Sequence, residues 1–138
     1  MMDCIFCKIS SGQSPASFVF ESEQVFAIMS RDQPNPYKVL VIPRIHIENI
    51  YELSADDAAH IFQATVKIAR AVRDASGCDG LNLAQSNGRA AGQSVFHFHL
   101  HLVPRFLNDK ILWSWQNTKA ERSELNRMAE EIRSKLEN

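Results

Sequence analysis

One segment limits the fold more than any other: Ser94-Val95-Phe96-His97-Phe98-His99-Leu100-His101-Leu102-Val103. Polar and apolar residues alternate strictly, and side chains of a β-strand point to opposite faces with a period of two. The alternation predicts a strand over 95–103. His97, His99 and His101 then share one face, and Phe96, Phe98, Leu100 and Leu102 enter the core. Three of the chain's five histidines fall within five residues. An ordinary half-open strand carries threonine, tyrosine or lysine on its polar face, so this face points to chemistry. Two kinds fit the residues: imidazole acting on a substrate, or a metal held by neighbouring histidines.

The rest of the chain supplies partners for that strand. Residues 17–21 and 25–29 are β-branched and aromatic runs separated by Ser22-Glu23-Gln24, the pattern of a hairpin. Pro34-Asn35-Pro36 is a rigid loop, and Val39-Leu40-Val41-Ile42 is a buried strand stopped by Pro43. A helix is expected from Ser54 to Ala75. Ser54 caps it, Asp56 and Asp57 suit its positive end, and Ala58, Ile61, Thr65, Ile68 and Val72 form one buried face. Gly77 ends it.

A strand at about 80–85 and a Gly-rich loop from Asn87 to Gly92 lead into the histidine run. A second helix at about 119–136 should bury a thinner face of Leu125, Met128, Ile132 and Leu136. Residues 4–10 form a short helical turn ended by Ser10-Ser11-Gly12. Strands, helix, strands and helix in that order give an α+β domain on an antiparallel sheet, with helices against one face.

At 138 residues with a net charge of −1, the chain fits one domain spanning 1–138. It lacks the basic footprint of a nucleic-acid or membrane binder. No run approaches the roughly 20 apolar residues of a membrane span, and the first twelve residues lack the pattern of a signal peptide. The expected location is the cytoplasm, where Cys4, Cys7 and Cys78 stay reduced. The Cys4-x-x-Cys7 spacing points to metal or redox chemistry, and the absence of a following βαβ pattern argues against a thioredoxin-like role. His60 stands alone on the long helix and reads as a surface residue.

The run Gly92-Gln93-Ser94-Val95-Phe96-His97-Phe98-His99-Leu100-His101-Leu102 resembles the signature of the histidine-triad (HIT) family. Val39-Leu40-Val41-Ile42-Pro43-Arg44-Ile45-His46 resembles that family's second recurring block. Cys4-Ile5-Phe6-Cys7-Lys8-Ile9 resembles the start of many bacterial members. The resemblance implies a five-stranded antiparallel sheet with a long helix and a C-terminal helix. It also implies a homodimer formed through the long helix and a sheet edge. Ile61, Phe62, Val66, Ala69 and Val72 cover more of that helix than one core face requires, which agrees with a dimer.

By the same resemblance, His99 is the nucleophile on the α-phosphate of a nucleotide, and His101 is a donor or proton shuttle beside it. Ser94 contacts phosphate or leaving group, while Gln93 and Gly92 belong to the same loop. Cys4, Cys7, His46 and His97 match a structural zinc site. The implied activity is hydrolysis or transfer on purine nucleoside phosphoramidates or dinucleoside polyphosphates, through a nucleotidyl-histidine.

The match departs from the family at several positions. Tyr37-Lys38 stands where a Gly-His pair is usual, and Lys38 would replace a ring with a mobile point charge. Ser30 stands where an aspartate often meets ribose. Ser86, with Asn87 next to it, stands where an Asn or Gln is usual. Two other functions also suit these residues: a metallohydrolase with the strand histidines on a catalytic metal, and a nucleotide-binding regulator that turns over slowly.

Overall fold

The computed structural model describes residues 3–112 and 114–136. Five strands form one antiparallel sheet: β1 (Phe18–Glu21), β2 (Val25–Met29), β3 (Val39–Pro43), β4 (Gly80–Ala84) and β5 (Leu100–Arg105). Their order is β1-β2-β3-β5-β4. The three helices are α1 (Ile5–Ser10), α2 (Ala55–Ser76) and α3 (Arg122–Lys135). The expected α+β architecture is present.

The alternation of side chains divides the sheet into two apolar layers. On one face Val25, Ala27, Val39, Val41, Leu100 and Leu102 pack under Ile61, Ala64, Ile68 and Val72 of α2. On the other, Phe26, Ile28, Leu40 and Ile42 pack under Phe6 and Ile9 of α1. Helices therefore cover both faces, where the sequence suggested one. The sequence pattern does not mark the short α1 as a cover, because its six residues carry only two core side chains.

Helix α2 begins and ends where its caps dictate. The Ser54 hydroxyl accepts from the Asp57 N–H, and Gly77 closes the helix at φ 67°. That left-handed conformation costs an L-residue roughly 1–2 kcal/mol and costs glycine nothing. Ile61, Thr65, Ile68 and Val72 are buried as expected, with Ala64 added and Ala58 only half-buried.

Three expectations are corrected. The histidine strand begins at Leu100, not 95, because its ladder runs out on both sides. The last β3 partner is Val41, opposite Leu100, and β4 ends at Ala84, opposite His101. Residues 95–99 keep the alternation of side chains without regular pairing, and Phe96 is only half-buried, under the Arg89 guanidinium. Helix α3 starts at Arg122 and buries none of its residues in the chain. His60 is half-buried, and its Nδ1 is enclosed without a hydrogen-bond partner.

Candidate functional site

The three histidines lie on the α1 face. Strand register puts His101 beside Leu40 and Ala84, and Leu40 belongs to the α1-side core. The Phe6 ring meets His97 edge-on at 5.7 Å and His99 at 5.0 Å between centroids. The His99 and His101 rings lie 4.8 Å apart. The sequence carries no signal for Phe6 as a site residue, since nothing in Cys-Ile-Phe-Cys separates a residue packing on imidazole from one packing on leucine.

Hydrogen bonds assign the protons on two of these rings. His99 Nδ1 lies 2.7 Å from the His97 carbonyl oxygen, which can only accept. Nδ1 therefore carries the hydrogen, and the Nε2 lone pair is free. Burial holds His99 below the usual imidazole range, and the Lys38 charge pushes the same way, against the opposing hydrogen bond to His97. His101 is pushed down to about 4, first by burial and then by His99 and Lys38. Both rings are neutral near pH 7. Lys38 itself is held below the usual lysine range by burial, partly offset by Asp32.

The depressed His101 has a consequence for stability. Unfolded chains bind a proton at this residue below about pH 6.5, whereas the native state waits until about pH 4. Stability contributed by neutral His101 is thus present above 6.5 and lost as pH falls toward 4. His101→Asn should flatten this part of the pH dependence by up to one proton, read from urea midpoints at pH 6.5, 5.5 and 4.5. Identical slopes in variant and wild type would place the His101 ring in solvent-like surroundings.

The second cluster joins α1, the segment after β3 and the start of the histidine run. Ligand atoms of Cys4, Cys7, His46 and His97 all lie within 4.8 Å of one another. His46 Nδ1 to His97 Nδ1 is 3.2 Å, Cys4 Sγ to His97 Nδ1 is 3.3 Å, and Cys7 Sγ lies 3.3 Å from His46 Nδ1 and 3.7 Å from His97 Nδ1. A tetrahedral ion at ordinary zinc bond lengths sets nitrogens about 3.3 Å apart and nitrogen to sulfur about 3.6 Å apart. The donor set fits.

His97 is fully buried, and its Nε2–H donates to the Pro43 carbonyl at 2.8 Å. That bond leaves Nδ1 with a lone pair aimed at the cluster, the usual outer support of a metal-binding histidine. Burial, and then Cys4, push the Cys7 thiol up.

The remaining candidates divide between two places. Gln93 is buried, and its amide is spent inside the loop: it donates to Glu48 and Val95 carbonyls and accepts from Gly88 N–H. Asn87 accepts from Ile50 N–H and exchanges hydrogen bonds with Gln85, and half-buried Ser86 accepts from Gln85 through its carbonyl. Gly92 adopts φ 92°, a backbone state that favours glycine. Ser94 is exposed and lines a hollow with Cys4, His46, Glu48 and Phe96.

Ser30 lies elsewhere, in a groove of about 600 Å³ with Ile9, Ala16, Ser17, Ile28 and Met29. Ile28, Leu40 and His101 are in register across three strands. The apolar groove and the histidine pair therefore share a face, about two strand spacings or ~10 Å apart. Tyr37 takes a positive φ of 74° just before Lys38, which explains why a glycine suits that position.

Comparison with known proteins gives one consistent family. The HIT domain pattern matches residues 11–108. "Protein hit" of Bacillus subtilis is 48% identical over 75% of this chain and 72% of its own length. Adenosine 5'-monophosphoramidase hnt1 of Schizosaccharomyces pombe is 32% identical over 98% of this chain and 99% of its own. Among solved structures, a HIT family member from Bacillus subtilis superposes with a TM-score of 0.94 at 40% identity, covering 99% of both chains. A Zn-bound histidine triad family protein from Mycobacterium smegmatis superposes at 0.75 with 34% identity, covering 97% of this chain and 99% of that one.

Proposed function

The chain belongs to the HIT family, and from that membership we propose that it is a nucleotidyl hydrolase or transferase using His99 as nucleophile. The observation that carries this reading is the hydrogen bond from His99 Nδ1 to the His97 carbonyl. It leaves a neutral ring with Nε2 uncommitted. The proposed substrates are purine nucleoside phosphoramidates or dinucleoside polyphosphates, in keeping with the phosphoramidase named among its relatives. One domain over 1–138, working in the cytoplasm, completes the reading. Among the described residues, no helix is long and apolar enough to cross a membrane.

In the first step the Nε2 lone pair forms a bond to the α-phosphorus. The bond from phosphorus to the leaving nitrogen or oxygen breaks, and the leaving group departs with the electron pair and takes up a proton from solvent water. The Nδ1–H stays on the His97 carbonyl, which stabilises the positive charge that develops on the ring. In the second step a water oxygen, or another acceptor, attacks phosphorus and gives its proton to solvent, while the bond from phosphorus to Nε2 breaks and His99 leaves as a neutral imidazole. The groove holding Ser30 and Ile28 is proposed to take the nucleoside, since ~10 Å suits a nucleoside monophosphate reaching from base to phosphate. Ser94, Gly92, Asn87 and Ser86 are proposed around the phosphate and leaving group, and Gln93 as the residue that shapes their loop.

Zinc is the metal proposed for Cys4, Cys7, His46 and His97. Four protein ligands would fill a zinc coordination sphere, so its chemistry there would be structural: it would hold α1 to the segment bearing the nucleophile. A catalytic metal on all three strand histidines is disfavoured, because His97 directs its metal-facing nitrogen toward the cysteines.

The deciding assay offers a panel of nucleoside phosphoramidates and dinucleoside polyphosphates, with mass spectrometry for a nucleotidylated peptide. No turnover of any, with nucleotide still bound, would favour a slow binding regulator. Lys38 is proposed to bring positive charge to the phosphate, in place of the family's usual histidine. Lys38→Ala should weaken binding of AMP roughly ten-fold at low salt, and the loss should shrink as ionic strength rises. Unchanged affinity in calorimetry at low salt would set Lys38 outside the site.

A homodimer joined through α2 is also proposed. Phe62 and Val66 on its outer face remain 52% and 47% exposed, more than an unpartnered helix face warrants. Light scattering at micromolar concentration should report about twice the chain mass of 15.6 kDa.

A further inference from the structure

The backbone that carries His99 is the part of the site that the sheet does not hold. The ladder begins at Leu100, and residues 95–99 lie outside it. A hydrogen bond from the Phe98 N–H to the Ile47 carbonyl, 2.7 Å long, steadies this stretch. A nucleophile needs closer control than that, because a misplacement of about 1 Å can cost roughly a hundred-fold in rate.

The His99 ring is held first from within its own stretch of chain. Nδ1 donates to the His97 carbonyl, and the His101 ring lies 4.8 Å away. Neither contact ties the imidazole to a separate element. Phe6 does so from α1. Its ring meets His99 at 5.0 Å with the planes 64° apart, and meets His97 at 5.7 Å and 89°. One phenyl ring thus braces both residues of the hydrogen bond that sets the proton on His99.

The brace is itself fixed. Phe6 is 5% exposed and packs among Ile9, Phe26, Ile28, Leu40 and Ile42. A phenyl side chain has two torsions, so once packed it keeps little freedom. Helix α1 is also anchored at its last residue. The Arg44 guanidinium donates to the Ser10 hydroxyl at 3.1 Å and to the Ser22 carbonyl at 2.7 Å, and it lies over the Phe26 ring. That anchor involves neither Cys4 nor Cys7. With so little of its surface exposed, Phe6 has little to offer a substrate and acts through the imidazole.

We infer that Phe6 is a positioning residue: from α1 it holds the His99 ring, and the His97 backbone that orients that ring, in the geometry from which Nε2 attacks. The inference rests on the reading of His99 as nucleophile and adds the element that aims it. Leucine would suit the core equally well, but it lacks the flat face and the length of a phenyl ring.

The test compares wild type with Phe6→Leu and with Ile42→Val, a loss of packing in the same core that removes no ring. Steady-state kinetics with adenosine 5'-phosphoramidate gives kcat and KM. NMR of the histidine ring nitrogens reads which nitrogen of His99 carries the proton. Phe6→Leu should lower kcat by roughly 10- to 30-fold and leave KM within about two-fold. The His99 proton, confined to Nδ1 in wild type, should divide between Nδ1 and Nε2 in the variant. Ile42→Val should lower the melting temperature to a similar degree while changing neither kcat nor the tautomer. Phe6→Met serves the same comparison if the leucine variant does not fold.

An unchanged kcat in Phe6→Leu, with the proton still on Nδ1, would overturn the inference. So would an equal fall of kcat in Ile42→Val, which would make the effect one of packing. A rise in KM alone would set Phe6 against the substrate and overturn it too. Wild type that turns over no nucleotide would remove the nucleophile reading and this inference with it. Active wild type beside an unaffected Phe6→Leu would remove this inference alone.

Discussion

His99→Ala should reduce turnover of adenosine 5'-phosphoramidate by roughly a thousand-fold or more, with the folded structure retained. The expectation follows from what each of the three rings has free. His97 has nothing to offer phosphorus: Nε2 is committed to the Pro43 carbonyl and Nδ1 faces the cysteines. Among the described residues, His101 makes no hydrogen bond that fixes which of its nitrogens carries the proton. His99 alone combines a fixed proton on Nδ1 with an uncommitted Nε2. Steady-state kinetics with circular dichroism of the variant checks both halves of the expectation. Trapping the nucleotide on His101 or His97 in wild type would overturn the assignment.

Replacing Cys4 and Cys7 together with serine should abolish zinc binding and lower the melting temperature by roughly 10–20 °C. That is the response of a domain this size to a loss of ~3–5 kcal/mol. The loss is large because two thiolates go at once and His97, with no exposed surface, keeps a lone pair with no partner. Chemistry at His99 should persist below the new melting temperature, since none of its hydrogen bonds involves the cysteines. Metal analysis of purified wild type should give about one zinc per chain. Zinc absent from protein prepared without chelator would remove the site, and turnover lost with the fold intact would make the metal catalytic.

Much of this was legible from residue pattern because alternation and helical spacing are local. The α2 boundaries follow from Ser54 and Gly77, and the faces of Phe98, Leu100 and Leu102 from parity alone. The strand boundary at Leu100 was not legible, because it depends on where β3 and β4 stop offering partners. The burial of Gln93 was equally hidden: it is decided by carbonyls of Glu48 and Val95 that only the folded loop brings near. The metal ligand set was implied by family resemblance, since nothing local relates Cys4 to a residue 93 positions away. Apolar spacing in α3 correctly indicated a helix. It could not say whether the face would be covered by the same chain.

His97 and His99 are separated by one residue, and the chain there has no ladder on either side to hold its register. A single amino-acid insertion between them would turn one ring to the opposite face. The sheet could not correct it, because both ends are pinned, by Pro43 on one side and by the pairing of Leu100 on the other. Length changes should therefore be tolerated in the segment that precedes α3 and rejected at position 98 even when the inserted residue is small and apolar. In a library of random insertions selected for phosphoramidase activity, that interval would be a gap in the surviving set as sharp as the histidines themselves.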